Sequence, residues 1–344
     1  MSTAIDLRSD TVTLPTPRMM EAISRAEFGD DVYGEDPTIN RLQQLAAHKL
    51  GKEAGLFVAS GTMGNLVAVL THCRRGDEMV VGDQAHVFYY EVGGSAALGG
   101  VHVRTVPNGK GIPSAADVEA AIRGEDIHFP RTRLVCLENT HNRCGGVAIT
   151  AEATNAVAAV AHSHGVKVHM DGARLFNAAV ALGVEPSSLV EQCDSVDICL
   201  SKGLSAPVGS VLVGTAEFIA EARKYRKMVG GGMRQAGILA AAGIVALEEM
   251  IDRLAEDHDN ARVLAEGIHG LPGATIDLGA VQTNIVVMEI DRPDMTAAKF
   301  IGHMAGLGVK LTAFGGNKVR AVTHYGIERG DVERAIEVAR KVLA

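Results

Sequence analysis

From about Thr38 to Glu249 the chain alternates between helical and strand-like patterning, and nothing else in it limits the possible folds so strongly. Helical spacing over 38–51 gives way to an apolar run at 55–59, then to a helix pattern at 62–73, a second run at 78–82 and a helix after His86. Further units follow at 101–106, 115–123, 133–137, 151–164, 166–170, 196–200 and 210–214, before a long helix from about Gln235. Alternation of this kind predicts a mostly parallel sheet, because the crossover helices cover both of its faces. Residues 255–344 then give a helix, short strands at 283–289 and 319–323, and a closing helix at 330–343. The expected organisation is α/β: an N-terminal arm over 1–20, a large domain over 21–250 and a small C-terminal α/β domain over 251–344. A chain of 344 residues, 47% hydrophobic and 22% charged, has enough apolar surface for one large core and a smaller one.

In open α/β sheets ligands sit at the carboxyl ends of the strands, and three such ends carry chemistry here. Val196-Asp197-Ile198-Cys199-Leu200-Ser201-Lys202-Gly203 reads as a strand running into a turn at Lys202, with a second apolar run at 210–214. A lysine between two buried strands is partly desolvated, which favours the neutral amine that attacks a carbonyl; the alternative is an ordinary solvated turn lysine. At Gly165-Val166-Lys167-Val168-His169-Met170 another strand ends on Asp171-Gly172-Ala173-Arg174. Asp171 could cap the next helix. It also fits as the carboxylate that keeps the pyridinium nitrogen of pyridoxal phosphate protonated. The third end is Phe57-Val58-Ala59-Ser60-Gly61-Thr62, where backbone N–H groups and two hydroxyls at a helix start suit a phosphate monoester, or only an N-cap. It is neither a Walker loop nor a dinucleotide fingerprint.

The chain resembles the low-specificity L-threonine aldolases of the β-eliminating lyase group. The likeness runs from Asp6-Leu7-Arg8-Ser9-Asp10-Thr11-Val12-Thr13 to Arg320-Ala321-Val322-Thr323-His324. Its most specific stretches are Ser201-Lys202-Gly203-Leu204, His169-Met170-Asp171-Gly172-Ala173-Arg174 and Gly230-Gly231-Gly232-Met233-Arg234-Gln235. The resemblance implies the PLP-dependent transferase-like fold (fold type I) and retro-aldol cleavage of β-hydroxy-α-amino acids, L-threonine or L-allo-threonine giving glycine and acetaldehyde. By it, Lys202 holds pyridoxal 5′-phosphate, Ser60, Gly61 and Thr62 take its phosphate, and Asp171 faces its ring nitrogen, on which the His86 ring stacks. His128 stands beside the substrate side chain, and His128 or His86, directly or through a bound water, accepts the hydroxyl proton. Arg174, next to the cofactor, and Arg320 hold the substrate carboxylate with help from Ser9. Arg234 reaches the cofactor phosphate region, across a subunit interface of a homo-oligomer built as a dimer of dimers. The rival readings are β-elimination or transamination on the same scaffold, or a protein that binds the cofactor without turnover.

Charge and composition narrow the partners. A net charge of −8 without a concentrated basic face argues against nucleic acid and for a small amino-acid substrate. The five cysteines are scattered with no paired or zinc-type spacing, so no metal site is expected and the thiols read as free in a reducing cytosol. The N-terminus carries Asp6, Arg8 and Asp10 in place of an apolar signal core, and the longest uncharged apolar stretch, 236–247, is too short to cross a bilayer. The expectation is a cytoplasmic protein with no membrane partner.

Overall fold

The computed structural model describes residues 4–344. Its strands are β1 (Ile5–Asp6), β2 (Ala54–Val58), β3 (Glu78–Gly82), β4 (His102–Val106), β5 (Thr132–Glu138), β6 (Lys167–Asp171), β7 (Ser195–Cys199), β8 (Ser210–Gly214), β9 (Ala274–Thr275), β10 (Ile285–Ile290), β11 (Val309–Lys310), β12 (Thr312–Ala313) and β13 (Lys318–Val322). β2 to β8 form one seven-stranded sheet in the order β2-β8-β7-β6-β5-β3-β4. From β4 to β7 every pairing is parallel, and only β8 runs against its neighbours. The reason is local: a turn without a helix joins β7 to β8, so β8 must fold straight back. The mostly parallel α/β sheet is as expected.

The two faces of the central strands differ. Val168 and Met170 of β6, with Val196 and Ile198 of β7, enter the large core beneath the Pro37–Lys49, Ala151–Ser163 and Gly237–Glu249 helices. The alternate residues His169, Asp171, Ser195 and Asp197 are polar yet equally buried, and they face the Gly61–His72 helix. Polar side chains at interior positions of a central strand are costly unless partnered, so this face marks where the fold departs from plain packing.

The other sheet, β12-β13-β10-β9, is antiparallel. It packs its own core against the Leu254–Ile268, Ala297–Gly306 and Arg329–Leu343 helices. The N-terminal arm joins that unit: β1 pairs in parallel with β11, and Ile5 and Leu7 are buried there. Two helices missing from the sequence reading, Leu175–Leu182 and Ala216–Met228, complete the layers of the large sheet. Among the described residues no helix is long and apolar enough to cross a membrane.

Candidate active site

The chemistry-bearing residues come to one edge of the large sheet because β2, β3, β5, β6 and β7 all end there. Lys202 follows β7 in a turn anchored by buried Leu200 and Leu204 and closed by the bonds from Leu200 N–H to the Gly209 carbonyl and from Ser205 N–H to the Lys202 carbonyl. The lysine itself is half-buried.

Asp171 ends the adjacent strand, fully buried. Its carboxylate accepts from the Asn65 amide at 2.9 Å and from the Ala173 N–H at 3.1 Å. Burial by itself would push its pKa up, but electrostatic attraction to His86 and Lys202, together with the Asn65 and Ala173 hydrogen bonds, outweighs it and holds the carboxyl below the ordinary range. His86 lies in the short helix after β3. Its backbone N–H donates to Glu138 at 2.7 Å and its Nδ1 meets the buried Glu91 carboxyl at 2.9 Å. Burial disfavours the imidazolium, yet Glu91 and Asp171 together raise the His86 pKa. Ligand atoms of His86, Glu91 and Asp171 all lie within 4.8 Å of one another.

Across the cleft two arginines approach each other. Buried Arg174 makes a two-point pair with Asp10, Nε and Nη2 each at 2.7 Å, and Asn284 supports the same carboxylate at 3.3 Å. Arg320, on β13, donates to Asn142 at 2.7 Å and to the Arg8 carbonyl at 3.1 Å, while its buried Nε has no protein partner. Burial and the nearby Arg174 charge bring its pKa down to about 10. Arg320, with an orphaned donor beside a second guanidinium, has the charge and the free N–H that a carboxylate ligand needs. Ser9 is beside them on the arm, where its hydroxyl accepts from the Thr11 N–H and hydroxyl.

At the third strand end Ser60 is the N-cap of the Gly61–His72 helix, accepting from Met63 N–H at 3.2 Å, and Gly61 and Thr62 form the open first turn. The Gly230-Gly231-Gly232 run lies against this turn, since a Cβ on Gly231 would stand 2.5 Å from Met63 Sδ. The half-buried amine, the ionised buried carboxylate and the open helix start therefore lie where pyridoxal phosphate needs a carbonyl partner, a ring-nitrogen partner and a phosphate cradle, and the donor set fits that group.

Two expected site residues are not brought in. His128 is 77% exposed, pairs with Asp126 at 2.6 Å and precedes β5, so it lies toward the sheet edge opposite Asp171 and Lys202. Arg234 is 54% exposed and pairs with Asp30 at 3.0 Å. Conversely, the sequence reading did not single out Asp10, Asn65, Glu91 or Asn142. Asp10 stood within a quoted motif, but nothing local distinguishes a buried Asn or Glu from a surface one. His141 is buried and bonds to Asn108 at 2.7 Å, while His162 pairs with Asp194 at 2.9 Å.

Residues 6–291 match the Beta-eliminating lyase family. The chain is 47% identical to Low-specificity L-threonine aldolase 1 of Arabidopsis thaliana, covering 99% of this chain and 96% of that one. It is 45% identical to Low specificity L-threonine aldolase of Escherichia coli (strain K12), covering 97% of each. In fold it is similar to the threonine aldolase of Leishmania major, with a TM-score of 0.84 at 20% identity over 99% of this chain and all of that one (100%). It is also similar to the serine palmitoyltransferase of Sphingomonas wittichii, with a TM-score of 0.79 at 18% identity over 98% of this chain and 87% of that one.

Proposed function

The chain belongs to the beta-eliminating lyase family, and from that premise we infer that its cleft carries out the pyridoxal-phosphate-dependent retro-aldol cleavage of β-hydroxy-α-amino acids, splitting L-threonine into glycine and acetaldehyde. The observation that carries this reading is the meeting of Lys202, an ionised Asp171 and the facing cations Arg174 and Arg320 at one cleft. When bound there, pyridoxal phosphate supplies an electron sink for the pair released as Cα–Cβ opens.

The chain's own residues do the rest. Lys202 provides the imine-forming amine, and Asp171 supplies the fixed anion for the ring nitrogen. Ser60, Gly61 and Thr62 present hydroxyls and first-turn N–H groups to the phosphate. Arg320 and Arg174, with the Ser9 hydroxyl, grip the substrate carboxylate and so fix the Cα substituents relative to the cofactor plane. His86 takes the β-hydroxyl proton on Nε2: Glu91 accepts its Nδ1–H, which leaves the lone pair on Nε2 and stabilises the imidazolium that forms.

The working form in this reading is a cytoplasmic homo-oligomer, a dimer of dimers with sites near its interfaces. Leu14, Tyr33 and Met228 are each at least 74% exposed, apolar side chains that a subunit interface would cover. His128 and Arg234, remote or outward-facing in their own subunit, serve a neighbour's cleft. All five cysteines are free, as a reducing compartment keeps them.

The test combines product analysis with labelling. Incubation with L-threonine, L-allo-threonine and L-phenylserine is expected to release glycine and the matching aldehyde, and borohydride reduction of the holoprotein to leave the pyridoxyl label on Lys202. Ammonia and a keto acid in place of the aldehyde, or a label on another lysine, would overturn the reading.

A further inference from the structure

Behind Asp171 stands a chain of polar contacts that the proposed reaction does not use. Asn65, 1% exposed on the Gly61–His72 helix, directs its Nδ2 at two carboxylates, Asp171 Oδ2 and Glu91 Oε1, each at 2.9 Å. Carboxylates accept, so the amide can point only this way, and its Oδ1 must then accept from His169 Nε2 at 3.0 Å. With its hydrogen on Nε2, His169 has a bare Nδ1, which accepts from the Ser195 hydroxyl at 2.9 Å. The Ser195 oxygen in turn accepts from His72 Nε2 at 2.8 Å. The two carboxylates thus dictate the polarity of every bond back to His72. Burial drives the pKa of His169 down to about 4 and that of His72 down to about 3, which leaves each ring neutral with the single hydrogen this order requires.

We propose that Asn65 is a positioning residue for the reaction, its one amide bridging Asp171 and Glu91 so that both stay fixed acceptors, the first toward the cofactor ring and the second toward His86. The inference rests on the reading that Asp171 faces the pyridine nitrogen. Without the two N–H groups, two buried carboxylates within 4.8 Å repel each other, and a proton taken up between them removes the anion the ring needs. The other charged or titratable groups facing this cluster are His86, Cys136, His169, Asp197 and Lys202, from the short helix after β3, from β5, from β6, from β7 and from the turn after β7.

Two substitutions separate positioning from packing. Asn65→Asp keeps the shape but exchanges the donor for an acceptor, and Asn65→Leu removes the polar contact altogether. Titrating pyridoxal phosphate into each apoprotein, we expect Asn65→Asp to bind at least tenfold more weakly than the native chain at pH 8.5. The deficit should shrink at pH 6, where the introduced carboxyl gains a proton and can donate to Asp171. Asn65→Leu should show the same deficit at both pH values. Native-like binding by Asn65→Asp at pH 8.5, or deficits indifferent to pH in both variants, would overturn the proposal. If neither variant folds, histidine-selective 15N NMR of the native apoprotein decides. A neutral Nε2–H tautomer of His169 from pH 6 to 8.5 is required, and an Nδ1–H tautomer or an imidazolium would sink the assignment. A native chain that takes up no pyridoxal phosphate would instead overturn the underlying reading, while the His169 tautomer would still report on Asn65.

Discussion

At the scale of single residues the most informative group is Arg320, because its contacts are incomplete. A surface arginine satisfies its donors with water and contributes about 0–1 kcal/mol through any ion pair. Arg320 is instead half-buried, faces a second guanidinium and leaves a buried Nε orphaned. Arg320→Lys keeps the charge but loses the planar two-point grip on a carboxylate. The expected outcome is a fall in kcat/KM for L-threonine of about 10- to 100-fold, or ~1.4–3 kcal/mol, with cofactor uptake unchanged. Steady-state kinetics beside the visible cofactor spectrum check this, and unaltered constants would take Arg320 out of the site.

At the scale of elements, the Gly61–His72 helix sits directly on the carboxyl of Asp197. That group is buried, finds no hydrogen-bond partner among the described residues, and is pushed well above its ordinary pKa by burial, with Asp171 and Cys199 adding to the shift. A Cβ on Gly64 would stand 2.0 Å from Asp197 Oδ1, so a glycine there is a matter of space between helix and sheet. Gly64→Ala is expected to cost about 1–3 kcal/mol in urea unfolding and to weaken pyridoxal phosphate binding, since the helix start that receives the phosphate must lift. Adding Asp197→Ala should recover most of the lost stability. A double variant no more stable than Gly64→Ala alone would show that the contact is not what limits the approach.

For the molecule as a whole, the N-terminal arm is the tie. Its first strand pairs with β11, and Asp10, 164 residues from Arg174 in sequence, neutralises that buried guanidinium on the large sheet. Asp10→Ala leaves a buried charge unpaired and is expected to destabilise the chain by about 3–5 kcal/mol, more than any exposed pair here. Burial opposes ionisation of Asp10, but Arg174 and Lys202 override it and depress its pKa. An acid whose folded pKa lies below its unfolded value stabilises fully above the ordinary carboxylate range and loses that contribution as pH falls below about 4. The penalty of the substitution should therefore be full at pH 7 and shrink in acid. Urea unfolding at pH 7 and pH 3.5 measures both, and a penalty under 1 kcal/mol at pH 7 would mean that Arg174 finds another partner.

The sequence by itself determined the layered α/β plan, the strand ends at Ser60, Asp171 and Lys202, and the family. Those depend on patterns between near neighbours: period-2 and helical spacing, small turn residues, and a charged residue placed at the end of an apolar run. Where such contrast is lacking the reading fails. The Leu175–Leu182 helix is apolar over most of its length and has no polar stripe to give it a period, and the Ala216–Met228 helix buries little beyond Phe218, Ile219, Ala222 and Arg226. Only the tertiary structure decided which polar groups share a partner. Asn65 meets Asp171 across 106 residues, and His128 ends toward the opposite edge of the sheet although its chain neighbours lead into a site strand. Strand order and burial fix those distances, and a side chain's charge, tautomer and reach follow from what surrounds it in space, which its neighbours along the chain do not specify.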